Sequence, residues 1–111
     1  MSAQYIKTEH YVDSNLSVLK IIIENELSLN NVEQVKKDLE LLLPENESFH
    51  IVIQNMETLD LAGMQLLFAF EKSAKNTNKS FKIDFFIKEE LKKILKNSGF
   101  AYFLENYKSQ N

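Results

Sequence analysis

The order of hydrophobic patterns along the chain limits its fold more than any other feature of the sequence. Two runs with the two-residue alternation of β-strands come first, at 5–12 and 16–23, and the polar segment 13–15 between them is typical of a hairpin turn. Helix-like segments then alternate with strand-like runs at 49–54 and 81–87. Strands separated by helices require crossover connections, which make neighbouring strands parallel. The sequence therefore predicts an α/β fold in which helices pack on a mixed sheet of about four to five strands.

Two helices are predicted from start signals followed by apolar residues at helical spacing. Asn30 and Glu33 resemble a capping box, with Asn in place of Ser or Thr, and Pro44 should end the helix that follows. Asp60 is predicted to cap a second helix that runs to about residue 76. This second helix is apolar on more than one face, which is typical of a helix that is deeply buried or that binds a partner.

A third helix is predicted at 89–97, with Gly99 at the position of a left-handed C-terminal cap. It is expected to turn three apolar side chains inward: Leu91, Ile94 and Leu95. Residues 101–107 fit either a last helical turn or a short strand.

The size and charge of the chain exclude several classes of protein. Its 111 residues predict a single domain, 1–111. All thirteen basic residues are Lys and the net charge is −3, so we expect no binding to nucleic acid. The longest apolar runs have three residues, so no insertion into a membrane is expected. The absence of Cys fits a reducing compartment, and no signal peptide is recognisable, which together predict a cytoplasmic protein.

No constellation of catalytic residues is recognisable. His10 and His50 are the only histidines, and each lies alone in a predicted strand, where a solvent-facing or partly buried structural role is the simpler interpretation. The acidic pair 89–90 opens a helix, where the helix dipole favours negative charge. Only two glycines exist, so there is no glycine-rich phosphate loop. We therefore predict that the chain is not an enzyme and holds no metal or cofactor.

Three short motifs resemble those of the STAS family, which includes anti-sigma-factor antagonists and domains of sulfate transporters. In the family, a hydrophobic strand and a short loop lead to Asp-Ser-Ser-Gly-Leu at the start of an apolar helix, and here Asp60, Gly63 and Met64 match that pattern. Segment 23–28 looks like the family's strand exit, and segment 95–100 looks like its Leu-x-x-x-Gly-Leu ending. The resemblance covers about 16–105 and implies a STAS-type mixed sheet.

The departures from the family pattern concern its phosphorylation switch. In the switched members, the residue after the motif's Asp is the phosphoacceptor Ser or Thr, and here it is Leu61, followed by Ala62 in place of the second Ser. Asn25 and Ser28 replace the Gly and Asp of the strand exit. Thr58 does not align with the acceptor. The resemblance therefore implies a member with no phosphoacceptor that is not switched at the usual position.

The resemblance also implies a partner-binding edge at loop 55–63 and the start of the helix that follows. The predicted partner-binding residues are Asp60, Leu61, Ala62, Gly63, Met64, Gln65 and Phe68. Four of them share one helical face by spacing: Leu61, Met64, Gln65 and Phe68. The core is then expected to be filled by Leu66, Leu67 and Phe70. Leu61 is either an exposed contact or an inward-facing core residue, and the sequence does not decide between these alternatives.

The function implied first is a non-catalytic regulatory module of bacterial signalling, resembling an anti-sigma-factor antagonist that binds a kinase-like anti-sigma factor. A second interpretation is an accessory subunit docked on the ATPase of a lipid-transporting ABC complex, as in some stand-alone STAS proteins. A third is a domain that senses a small molecule or a lipid. The absence of Arg and of a glycine-rich loop argues against a phosphate ligand but not against a lipid.

Overall fold

The computed structural model describes residues 6–97, residue 99 and residues 107–109, which form five strands and three helices. In chain order these are β1 (Ile6–Asp13), β2 (Leu16–Leu27), α1 (Val32–Leu42), β3 (Ser48–Leu59), α2 (Leu61–Asn76), β4 (Ser80–Ile87), α3 (Glu89–Lys96) and β5 (Tyr107–Ser109). This order confirms the predicted alternation. Of the segment 101–107, for which a helical turn or a strand was expected, only the last residue is described, and it begins β5.

The five strands form one mixed sheet in which the spatial order, β1-β2-β3-β4-β5, equals the order in the chain. β1 pairs with β2 in antiparallel fashion, and all later neighbours are parallel, as the hairpin and the crossovers predict. Right-handed crossovers that always step in one direction place their helices on the same face of a sheet. Among the described residues, the three helices therefore cover one face of the sheet, and we call the other the helix-free face.

The hydrophobic core lies between the helices and alternate residues of the strands. The three central strands contribute alternate buried side chains: Leu19, Ile21 and Ile23; Phe49, Ile51 and Ile53; Ile83, Phe85 and Ile87. The extended ends of β2 and β3 add Leu27, Met56 and Leu59. The helices contribute Val35, Leu39, Met64, Leu67, Phe70, Ala74 and Leu95. In α3 the prediction is wrong for Ile94, which is 54% exposed, because this short helix turns only one narrow stripe toward the core.

The opposite face of the sheet carries a chain of polar side chains from three strands. The hydroxyl of Tyr11 lies 2.9 Å from Nδ1 of His50, and Nε2 of the same ring lies 2.8 Å from Oδ2 of Asp84, which is buried. These hydrogen bonds reach across β2 from β1 to β4. His50 thus has a structural, partly buried role, while His10 is exposed.

β2 and β3 extend well beyond the ends predicted for them, to Leu27 and Leu59. Their register is irregular after Ile23, and both strands contain an asparagine with positive φ, Asn25 at 73° and Asn55 at 50°. Asn tolerates the left-handed region better than most residues, which allows a bulge without loss of the pairing. The carboxyl ends of the two strands are therefore carried past the body of the sheet, toward the start of α2.

Candidate functional site

The candidate site is built from two segments that meet at the carboxyl ends of β2 and β3. One is the connection 28–31 between β2 and α1, and the other is the first turn of α2. Asp60, which lies between β3 and α2, joins them. Its Oδ1 accepts a hydrogen bond from the backbone N–H of Gly63 at 3.0 Å, and its Oδ2 accepts one from the backbone N–H of Leu29 at 3.0 Å. The predicted N-cap role of Asp60 is thereby confirmed.

Gly63 allows the start of α2 to approach the end of β2 more closely than any other residue would. A Cβ atom at this position would lie 2.3 Å from the carbonyl oxygen of Leu27 and 2.8 Å from the Cγ atom of the same residue. The backbone N–H of Asp60 also donates to that carbonyl oxygen, at 3.3 Å. The glycine of the motif is therefore required by backbone packing.

The 28–31 connection is held by a dense set of side-chain hydrogen bonds. The side chain of the buried Asn31 accepts from the backbone N–H of Ser28 at 2.9 Å and donates to the backbone oxygen of Glu26 at 2.7 Å. The Ser28 hydroxyl donates to Oε2 of Glu26 at 2.5 Å and accepts from the backbone N–H of Asn30 at 3.2 Å. These bonds fix nearly every residue of the connection.

The same hydrogen bonds show that the predicted capping box is wrong. The residue at the N-cap of α1 is Asn31 rather than Asn30, and its side chain makes no capping bond to the helix. It is turned back to hold Ser28 instead, while the side chain of Asn30 donates to Glu26 at 3.1 Å. Local Asx bonding has replaced helix capping here.

Three large apolar side chains are exposed on these two segments. Leu29 is 76% exposed at the tip of the 28–31 connection, Leu61 is 49% exposed at the first position of α2, and Phe68 is 37% exposed two turns further along the helix. Leu61 is thus a surface residue, and the alternative that it packs into the core is wrong. We refer to Leu29, Leu61, Gln65 and Phe68 as the leucine surface.

Two of the predicted partner-binding residues lie beneath this surface. Met64 is fully buried and Gly63 is also buried, so neither is exposed for contact. The close approach of Gly63 to β2 sets the rotation of α2 and turns its neighbour Met64 into the core. Ala62 and Asp60 are half-buried, and Leu66 is half-buried rather than a principal core residue. The face that remains exposed consists of Leu61, Gln65 and Phe68.

Sequence reasoning missed Leu29, which is the most exposed apolar residue of the site. The available signal was a single leucine within an otherwise polar turn, Ser28-Leu29-Asn30-Asn31. No other apolar residue of this turn lies at strand or helix spacing from the leucine, so the turn itself offers no apolar face on which it could be buried. Its proximity to the start of α2 becomes evident only from the hydrogen bond between its N–H and Asp60.

A carboxylate on the helix-free face anchors the end of β2 next to the site. Glu24 accepts hydrogen bonds from Lys7 at 2.8 Å, from Asn55 at 2.9 Å and from Gln54 at 3.1 Å. These donors favour the ionised form, and Lys7 has the largest effect, so the pKa of Glu24 is lowered to about 2. The side chain joins β1, β2 and the bulge of β3.

Beyond the bulge lies an open hollow lined by Asn25, Asn55, Met56, Glu57 and Lys88. Within the described part of the chain, no group of three or more His, Asp or Glu side chains is arranged to hold a metal ion. Among the described residues, no helix has the length and hydrophobicity needed to cross a bilayer.

Comparison with known proteins places the fold among solved structures. No family model matches the sequence, and no curated protein is significantly similar to it. The unphosphorylated anti-sigma-factor antagonist SpoIIAA superimposes with a TM-score of 0.63 at 12% identity, over 95% of this chain and 89% of that one. The phosphorylated Bacillus cell-fate determinant SpoIIAA gives 0.55 at 12% identity, over 95% and 92% of the two chains.

An anti-sigma-factor antagonist from Mycobacterium paratuberculosis gives a TM-score of 0.61 at 13% identity, over 98% of this chain and 89% of that one. Identities this low establish the fold and not the role of single residues. The mixed sheet, the three helices and the capped start of α2 agree with the sequence motifs that resemble the STAS family. The chain therefore has the STAS fold of the anti-sigma-factor antagonists.

Proposed function

We propose that this chain is a non-catalytic regulatory module that binds another protein through the leucine surface. The observation that carries the proposal is the exposure of Leu29 and Leu61 on two segments that Asp60 ties together. Exposed apolar groups on a fixed backbone favour binding, since little conformational entropy is lost when they are covered.

The similar structures suggest the class of partner. Two of them are described as anti-sigma-factor antagonists and one as a cell-fate determinant. By analogy, the partner of this chain is an anti-sigma factor or a related kinase-like protein. Docking on a transporter ATPase would use the same surface, and the identity of the bound protein distinguishes the two roles.

The proposed module binds without a phosphorylation switch at the start of α2. Leu61 occupies the position that follows the motif's aspartate, and its side chain has no hydroxyl to accept phosphate. A phosphate would add up to two negative charges at the helix start. Without an acceptor there, no phosphate can block binding at this position, and the exposed leucine adds apolar contact area.

Affinity capture from the native cell, followed by mass spectrometry, tests the proposal. The bait is the full chain, compared with the variant Leu29→Ser/Leu61→Ser. The control bait is Val12→Ser/Leu16→Ser, which removes two equally exposed apolar side chains far from the site. We expect the captured partner to be retained by the control and to bind the site variant about tenfold or more weakly, because central apolar contacts dominate interfaces. Equal binding to the two variants would contradict the proposal.

A further inference from the structure

The charges of the chain are distributed unevenly around the site. Six of the sixteen acidic residues lie in segments 24–35 and 54–71. These two segments contain the carboxyl ends of β2 and β3 and all four residues of the leucine surface. They hold none of the thirteen lysines. Elsewhere in the chain, lysines outnumber acidic residues. The region that exposes the leucines is therefore the acidic region of a chain whose remaining sequence is slightly basic.

Three lysines, one on β1 and two in the later part of α2, lie at the margins of this region. Lys7 pairs with Glu24 at 2.8 Å, and Lys75 pairs with Glu71 at 3.2 Å. Lys72 lies over the ring of Phe68, with its Nζ 5.5 Å from the ring centre. Lys36 and Lys37 directly follow the first segment, and Lys88 lines the hollow beyond the bulge together with Glu57.

Four carboxylates nearer the leucines form no ion pair with any lysine of the described residues: Glu26, Glu33, Glu57 and Asp60. Two of them are fixed in place, because Glu26 is bonded to Ser28 and Asn30, and Asp60 is bonded to backbone N–H groups on both segments. Glu33 and Glu57 are exposed. The leucines are thus bordered by acidic groups, part of which cannot move away when a partner approaches.

From this arrangement we infer that the partner element is amphipathic and basic, with apolar side chains that cover Leu29 and Leu61 and with Lys or Arg at its margins. The inference rests on the proposed function, because it specifies the chemistry of the protein that the leucine surface binds. Charge complementarity accelerates association and excludes partners of like charge. An anionic bilayer would be repelled by the same carboxylates, so the surface favours a protein segment over a membrane.

Selection from a random peptide library tests the inference without assuming any partner sequence. The wild-type full chain is the target, and peptides that also bind Leu29→Ser/Leu61→Ser are removed by counter-selection. We expect the remaining peptides to combine apolar residues with an excess of Lys and Arg over Asp and Glu. We also expect their affinity to fall about tenfold or more when the salt concentration rises from 50 to 500 mM.

The other outcomes distinguish failure of the inferred basic partner from failure of the proposed binding function. Peptides that require the two leucines but carry no excess of positive charge would overturn the basic partner and leave the leucine surface as a binding site. Failure to recover any peptide that distinguishes wild type from the double variant would overturn both.

Charge reversal provides the matched control. Glu33→Lys/Glu57→Lys changes two exposed acids near the leucines, and Glu40→Lys/Glu45→Lys changes two exposed acids at the other end of α1 and beyond it. We expect the selected peptides to bind the first variant about tenfold more weakly than the second, with both variants showing wild-type circular dichroism. Equal affinity for the two variants would contradict the inference.

Discussion

Both ends of β2 have exposed apolar residues at or beside them, but only one end, which we call the fixed end, is bonded to a segment distant in sequence. At the hairpin end, Leu16 is 56% exposed beside Val12 at 74%, and the turn between them contains two residues with positive φ. Positive φ at both central residues is typical of a tight two-residue hairpin turn, in which the Ser14 hydroxyl donates to Asp13 at 3.4 Å. At the other end, Leu29 is 76% exposed, on a connection held by Asn31 and Ser28 and bonded through Asp60 to the start of α2.

This difference shows why exposure alone is a poor indicator of a binding site. Single exposed apolar residues are common on protein surfaces. The hairpin turn is a local structure, whereas Asp60 holds the Leu29 connection against the start of α2, so that Leu29 and Leu61 from separate segments are exposed together. We therefore expect partner binding at the Leu29 end of β2 and not at the hairpin end.

The largest loss of stability is expected from Gly63→Ala, which acts on the fixed end. The new Cβ would lie 2.3 Å from the Leu27 carbonyl oxygen, so α2 must move away from β2. We expect the free energy of unfolding to fall by about 3 kcal/mol, measured by urea denaturation. Gly99→Ala is the control: its φ is 88°, and among the described residues no atom lies within 4 Å of an added Cβ, so backbone strain alone should cost about 1 to 2 kcal/mol. Equal losses would show that the close approach is not a constraint.

Asp60→Ala is expected to cost about 2 kcal/mol, because it removes the N-cap of α2 and leaves the N–H of Leu29 without its acceptor. The corresponding change at the hairpin end, Asp13→Ala, should alter stability by less than about 0.5 kcal/mol. Thermal unfolding of both variants without any partner measures the difference. If Asp60→Ala melts like the wild type yet loses binding, Asp60 is a contact residue and not the tie between the two segments.

Glu24 gives the fixed end a dependence on pH. Because the pKa of Glu24 is lowered to about 2, its contribution to stability is complete above its ordinary value of 4.5 and is lost as the pH falls toward 2. Glu24→Gln should therefore lower stability at pH 7 and should flatten the decline between pH 5 and pH 2. Denaturant titrations across that range measure the slope. An unchanged slope in the variant would show that another carboxylate is responsible.

The smallest effect on stability is expected from charges placed at the exposed leucines themselves. Leu61→Lys and Leu16→Lys should each change the free energy of unfolding by less than about 0.5 kcal/mol, since neither side chain is part of the core. Only Leu61→Lys should abolish partner binding, which isothermal titration with the captured partner would measure. Unfolding of Leu61→Lys would place Leu61 in the core and would remove it from the binding surface.

Much of the fold could be predicted because the pattern that encodes it is local. Alternation marks β2, β3 and β4, and the Asp60 cap marks the start of α2, without knowledge of the tertiary structure. The extensions of β2 and β3 could not be predicted, because polar residues such as Asn25 and Asn55 indicate loops in isolation. In the folded chain the two extensions pair with each other, and the shift in register after Ile23 accommodates the asparagines.

The site was less predictable, for two physical reasons. Helical spacing alone groups Met64 with Leu61, but the contact of Gly63 with Leu27 decides which side of α2 faces inward. Leu29 belongs to the site through a hydrogen bond that spans 31 residues of sequence. Both are tertiary effects, and no periodicity in the sequence records them.

The agreement between strand order in the sheet and strand order in the chain has a consequence for biosynthesis. Each strand from β2 to β5 pairs with the strand made just before it. During translation, every new strand therefore leaves the ribosome when its neighbour already exists, and the sheet can grow from one edge in the direction of synthesis. No strand has to wait for a later segment to be inserted beside it. The last strands of the chain, β4 and β5, can then pair with the edge of a sheet formed by the earlier strands.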